Sequence, residues 1–100
     1  MAKICRNYDL GSTGHKCTSV IGVKTTQSTV FANGIPVARQ FDPARPHKIR
    51  KGDRCIGHNS ARVNAGSRTV FARGIGVARV DDSYDSGRMI QGSQTVFAGG

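Results

Sequence analysis

Gly14-His15-Lys16-Cys17 sets an imidazole and a thiol two positions apart, which in an extended segment places both on one side. Cys55-Ile56-Gly57-His58 sets a second pair three apart, a spacing suited to a turn, and His47 stands upstream in the same stretch. Imidazole and thiolate are the donors that zinc takes in tetrahedral sites, and iron accepts them too. Three histidines and one thiolate would close such a site. It would hold the fold and leave no position for catalytic water. The expected cofactor is one structural metal ion, zinc ahead of iron. The pattern is not that of a zinc finger, and the plain alternative is three solvated loop histidines.

The elements that must bring these residues together repeat three times. Thr29-Val30-Phe31-Ala32-Asn33-Gly34 returns as Thr69-Val70-Phe71-Ala72-Arg73-Gly74 and as Thr95-Val96-Phe97-Ala98-Gly99-Gly100. A second phrase, a small residue followed by Arg-x-x-Asp, runs Cys5-Arg6 to Asp9, Ala38-Arg39 to Asp42 and Ala78-Arg79 to Asp82. Thr-Val-Phe-Ala predicts a short strand. Asn33-Gly34 predicts a two-residue hairpin turn, with Arg73-Gly74 filling the same place less well. The return strands begin at Ile35-Pro36 and Ile75-Gly76, where Pro36 and Gly76 predict edges or bulges. The repeated Arg and Asp are expected to pair across each corner. Three such units predict a body with approximate threefold symmetry, shaped for a threefold partner.

Between the repeats lie unequal loops over residues 10–27, 43–66 and 83–92. Every histidine falls in the first two, and so do Cys17 and Cys55. Equivalent loops of a threefold body leave at the same end, so His15, His47 and His58 converge there. Cys5 differs: it fills the slot of Ala38 and Ala78, which predicts a small buried residue.

A chain of 100 residues is one domain, spanning 1–100, and its modest core needs a staple. It has no Trp, no Glu and 13 glycines, and no run with helical periodicity, which predicts an all-β fold. Its formal charge of +9 is densest between residues 45 and 62, with Arg45, Lys48, Arg50, Lys51, Arg54 and Arg62. That charge motivates the alternative reading, a basic nucleic-acid-binding β module, although no aromatic residues interleave as stacking platforms. An enzyme is not expected: general-base chemistry would rest on six aspartates, and Asp53, nearest the candidate ligands, reads as a solvated loop charge. The start has no signal-peptide core, and no apolar run reaches membrane-spanning length. Three cysteines without C-x-x-C spacing predict reduced thiols from a cytoplasm rather than a disulfide framework.

Gly34-Ile35-Pro36-Val37-Ala38-Arg39 and Gly74-Ile75-Gly76-Val77-Ala78-Arg79, each after Thr-Val-Phe-Ala, resemble the PAAR-repeat proteins. Gly66-Ser67 and Gly92-Ser93 match the family's recurring Gly-Ser-x-x-Val-Phe phrase; Thr26-Gln27 departs from it. The resemblance covers nearly the whole chain and is greatest to the stand-alone tip proteins of tailed phages, as on T4-like baseplates. It implies a small β cone that caps and sharpens a trimeric β-helical spike, one tip per trimer. The machine would be a contractile phage tail or a type VI secretion system. It also implies a His/Cys metal near the apex, transient contact with a target cell envelope, and residence in the virion without an attached effector domain. Val30, Phe31, Val70, Phe71, Val96 and Phe97 are then the expected spike-binding residues. His15, His47 and His58 are the expected ligands, with Cys17 first, Cys55 second and Asp85 third as candidates for the fourth. The third loop, at Asp85-Ser86-Gly87-Arg88, offers no good ligand by the family's pattern.

Overall fold

A strand of two to four residues cannot stand alone, so each Thr-Val-Phe-Ala phrase must fold back on a neighbour. The computed structural model, which describes residues 1–100, is all-β and shows how. Its strands are β1 (Ala2–Lys3), β2 (Leu10–Ser12), β3 (Val20–Gly22), β4 (Phe31–Ala32), β5 (Ile35–Pro36), β6 (His47–Lys51), β7 (Arg54–His58), β8 (Phe71–Ala72), β9 (Ile75–Gly76), β10 (Ser83–Tyr84), β11 (Gly87–Met89) and β12 (Phe97–Ala98).

β4–β5 and β8–β9 are two-residue hairpins in the same register, Phe31 opposite Pro36 and Phe71 opposite Gly76. Their turns take positive φ at both positions, 56° and 75° at Asn33-Gly34 and 51° and 82° at Arg73-Gly74. That is the hairpin geometry the sequence predicts. The third copy needs a partner strand as well. The beginning of the chain supplies one: β1 pairs with β12, Lys3 opposite Phe97 and Ala2 opposite Ala98.

Beyond the ladders the three units interlock in a ring. The Cys5 N–H donates to the Ala78 carbonyl (2.9 Å), Ala78 to Ala38 (2.8 Å) and Ala38 back to Cys5 (2.9 Å). The flanking pairs Ile4–Arg79, Val37–Arg6 and Val77–Arg39 repeat the same cycle. All three small residues are fully buried where the three backbones meet. Burial first, then the Asp9 and Asp82 carboxylates, push the Cys5 thiol far above its ordinary pKa, so it stays neutral and inert.

Each corner is tied by its aspartate, which accepts the backbone N–H of Arg6, Arg39 or Arg79 at 2.8 Å. The expected side-chain pairing holds at two corners, Arg6–Asp9 and Arg79–Asp82, both at 3.0 Å. At the third, Arg39 turns instead to the Thr26 hydroxyl (3.0 Å) and the Ala72 carbonyl (3.2 Å). Thr26-Gln27 also keeps the serine's task. Gln27 Oε1 accepts the N–H groups of Thr29 and Val30 as Ser67 Oγ and Ser93 Oγ accept those of Thr69, Val70, Thr95 and Val96.

The core is a stack of such layers. One cluster joins Ile4, Val37 and Val77 to Ala32, Ala72 and Ala98. A second holds Cys5, Ala38 and Ala78 with Val23, Val63 and Met89, then Ala44 and Tyr84. The symmetry breaks at the last layer. Tyr84, fully buried, lies where a Cβ on its counterpart Gly11 would stand, so one large ring fills space that the glycine vacates. Here the sheet β10–β11–β2–β3 forms, and the unequal loops begin.

Candidate metal centre

Three loops meet beyond the Tyr84 layer. The first turns at Gly14 (φ +76°), the third at Asp85 between β10 and β11. The two turns approach so closely that a Cβ at Gly14 would strike the Ser86 backbone, and one at Gly87 the Ser12 backbone. Ser86 N–H donates to the Thr13 carbonyl (2.9 Å) and Asp85 N–H to that of Arg62 (3.0 Å), fixing the approach. The second loop is mostly a hairpin, which sequence reasoning missed: β6 pairs with β7 around Gly52-Asp53, and His47 faces His58 at its root.

These elements bring together His15 Nε2, His47 Nε2, His58 Nδ1 and Asp85 Oδ2, and the four donor groups lie within 4.8 Å of one another. Asp85 Oδ2 stands 2.8, 3.1 and 3.7 Å from the three imidazole nitrogens, and His58 Nδ1 stands 3.2 Å from His15 Nε2. Donors bound at about 2.0–2.1 Å in a tetrahedron sit roughly 3.3 Å apart, so this spacing suits a single four-coordinate ion. Two outer hydrogen bonds set the tautomers. His47 Nδ1 donates to the Arg45 carbonyl (2.8 Å) and His15 Nδ1 to that of Lys16 (3.2 Å), so each Nε2 would offer its lone pair to an ion bound at the centre. Arg45 is itself clamped, its guanidinium 3.4 Å over the Tyr8 ring and hydrogen-bonded to Asn7. The His47 side chain is 1% exposed and that of Asp85 6%, against 20% for His58. The cluster can hold a metal ion and tie all three loops to it.

The histidines therefore gather as the sequence predicts, but the fourth donor is corrected. Cys17 and Cys55 are not ligands: they form a disulfide with each other, Cα atoms 6.0 Å apart. The prediction of reduced thiols falls with it. Only Cys5 is free. The physical reason is register. Cys55 pairs across the hairpin with Arg50, on the face away from His47 and His58, and Cys17 bridges to Ile49 beside it. The fourth donor group of the cluster is Asp85, the third of the three candidates, in the loop that the family's pattern left without a good ligand.

At the ladder end, Phe31, Phe71 and Phe97 occupy equivalent positions and are 53%, 56% and 42% exposed. Val30 and Val70 are also exposed, whereas Val96 packs on the core cluster. Compared with known proteins, the chain matches no family model and no curated protein.

Proposed function

We propose that this chain is a spike tip: a metal-stabilised cap that sharpens a trimeric β-helical spike of a contractile phage tail or type VI-like machine. The observation that carries the reading is the opposition of two ends. One end repeats the same phenylalanine-bearing ladder three times. The other gathers a single asymmetric His/Asp cluster. A cap needs threefold likeness only where it meets a trimer. The ladders are each two-stranded, so their outer edges carry backbone groups that a β-helix end can pair by strand addition. The exposed phenylalanines add apolar area to that contact. Three like ladders, the third completed by β1, support the PAAR-repeat reading.

The ion at the cluster is zinc, ahead of iron; imidazole and carboxylate donors at tetrahedral spacing suit zinc's lack of geometric preference. Its role is structural, with no turnover, and the working place of the protein is the virion. The test is to mix the chain with a candidate trimeric spike and weigh the complex by light scattering. One chain per three spike chains is expected. Replacing Phe31, Phe71 and Phe97 by Ser should abolish the complex while leaving metal content unchanged. A one-to-one ratio overturns the proposal.

A further inference from the structure

The positive charge has a place in the fold that neither the metal nor the ladders use. The β6–β7 hairpin carries Lys48, Arg50, Lys51 and Arg54, all exposed, against one carboxylate, Asp53. None of these four cations makes an ion pair. Register sorts the hairpin into faces. Along one face run the His47–His58, Ile49–Ile56 and Lys51–Arg54 pairs, in that order from root to turn. The other face presents Lys48 and Arg50, and Cys55 on that face is tied by its disulfide to Cys17 of the first loop. Ile56 is 36% exposed although it is among the most apolar residues of the chain. Residues 51–54 hydrogen-bond to nothing in the body.

An isoleucine pair bordered by unneutralised cations, on a hairpin held stiffly at its root, has the chemistry of a bilayer-surface binder. Cations meet phosphate headgroups and the apolar pair meets the acyl boundary. Nucleic acid is the poorer match: none of the six aromatic residues lies on the hairpin to stack with bases. We infer that the β6–β7 hairpin binds an anionic phospholipid surface. The inference rests on the hairpin alone and needs no spike.

The full chain is mixed with vesicles of phosphatidylcholine alone, or with about a third phosphatidylglycerol, at roughly 0.1 M salt, and sedimented. Binding to the anionic vesicles only is expected, weakening as salt is raised. Lys51→Gln with Arg54→Gln should weaken it about twenty-fivefold, near fivefold for each cation removed. Arg68→Gln with Arg73→Gln takes the same charge from the β8 unit and should leave binding within about twofold. Metal content and thermal midpoint confirm that each variant folds; if the first pair failed, Lys48→Gln with Arg50→Gln makes the same test. Equal binding to both vesicle types overturns the inference, and so does equal weakening by the two charge pairs. Capture of random-sequence duplex DNA by the same hairpin residues, with vesicles left unbound, would replace it with a nucleic-acid site.

Discussion

Asp85 bears the greatest chemical weight of any single residue, since its Oδ2 approaches all three imidazoles. Asp85→Ala should drop the metal from about one ion per chain to below roughly a tenth after dialysis, with a lowered thermal midpoint. Elemental analysis checks this against Cys17→Ser with Cys55→Ser, which should keep the ion. The reverse result would return the fourth donor to a cysteine. Cys5 makes a second test at this scale. Burial and two carboxylates raise its pKa, so the folded chain holds the thiol proton where the unfolded chain releases it. The stability due to that neutral thiol is therefore present below about pH 8.5 and lost as pH rises beyond it. Cys5→Ala should flatten the fall in urea midpoint between about pH 8.5 and 10.5 relative to the parent. A thiol reagent should find no reactive cysteine in the native chain and one on unfolding without reductant.

At the scale of elements, the hairpin and the first loop depend on each other. The Cys17–Cys55 bridge closes a separation of 38 residues and joins the segments that carry His15 and His58. Cys17→Ser with Cys55→Ser should cost about 2–4 kcal/mol by urea titration, the loss falling at the lower end when the metal already links the same loops. Gly14→Ala should do more harm to the site than to the ladders: the added Cβ meets Ser86 backbone at a φ that side chains avoid. Metal affinity should fall at least tenfold while the far ladders keep their hydrogen-exchange protection. What was legible in the sequence follows the same division. The ladders and corners were readable because each is a local phrase, written three times, whose copies check one another. The convergence of the histidines followed from the repeat. The β6–β7 hairpin was hidden because Lys48, Arg50, Lys51 and Arg54 cover both its faces and erase the alternation that marks a strand. The disulfide was hidden because an odd cysteine count says nothing about which pair shares a register. Asp85 ranked only third among the candidates for the fourth donor because a lone carboxylate in a turn has no spacing signature.

The whole molecule is a ring of three units cut open at one hairpin. The third ladder joins the two ends of the chain, with Ala2 opposite Ala98 where the other units have Ile35 opposite Ala32 and Ile75 opposite Ala72. The Cys5–Ala78–Ala38 hydrogen-bond cycle likewise does not distinguish which unit is interrupted. Closing this ladder requires the most distant contacts in the chain, and the chain entropy lost in doing so grows only with the logarithm of that distance. The cut should therefore be movable. A permutant with Gly100 joined directly to Met1, leaving Gly99-Gly100-Met1 as a short turn, and opened between Asn33 and Gly34, keeps every strand pair of the ring. It should fold, bind about one metal ion and melt within a few degrees of the parent. Opening between Lys51 and Gly52 in the same background is the sterner comparison. It leaves the threefold ring intact but frees the two hairpin strands that hold His47 and His58, so it should keep the ladders and lose metal affinity. If the first permutant failed to fold while the second folded, the β4–β5 turn would be the nucleus of the structure and the equivalence of the three units would be one of shape alone.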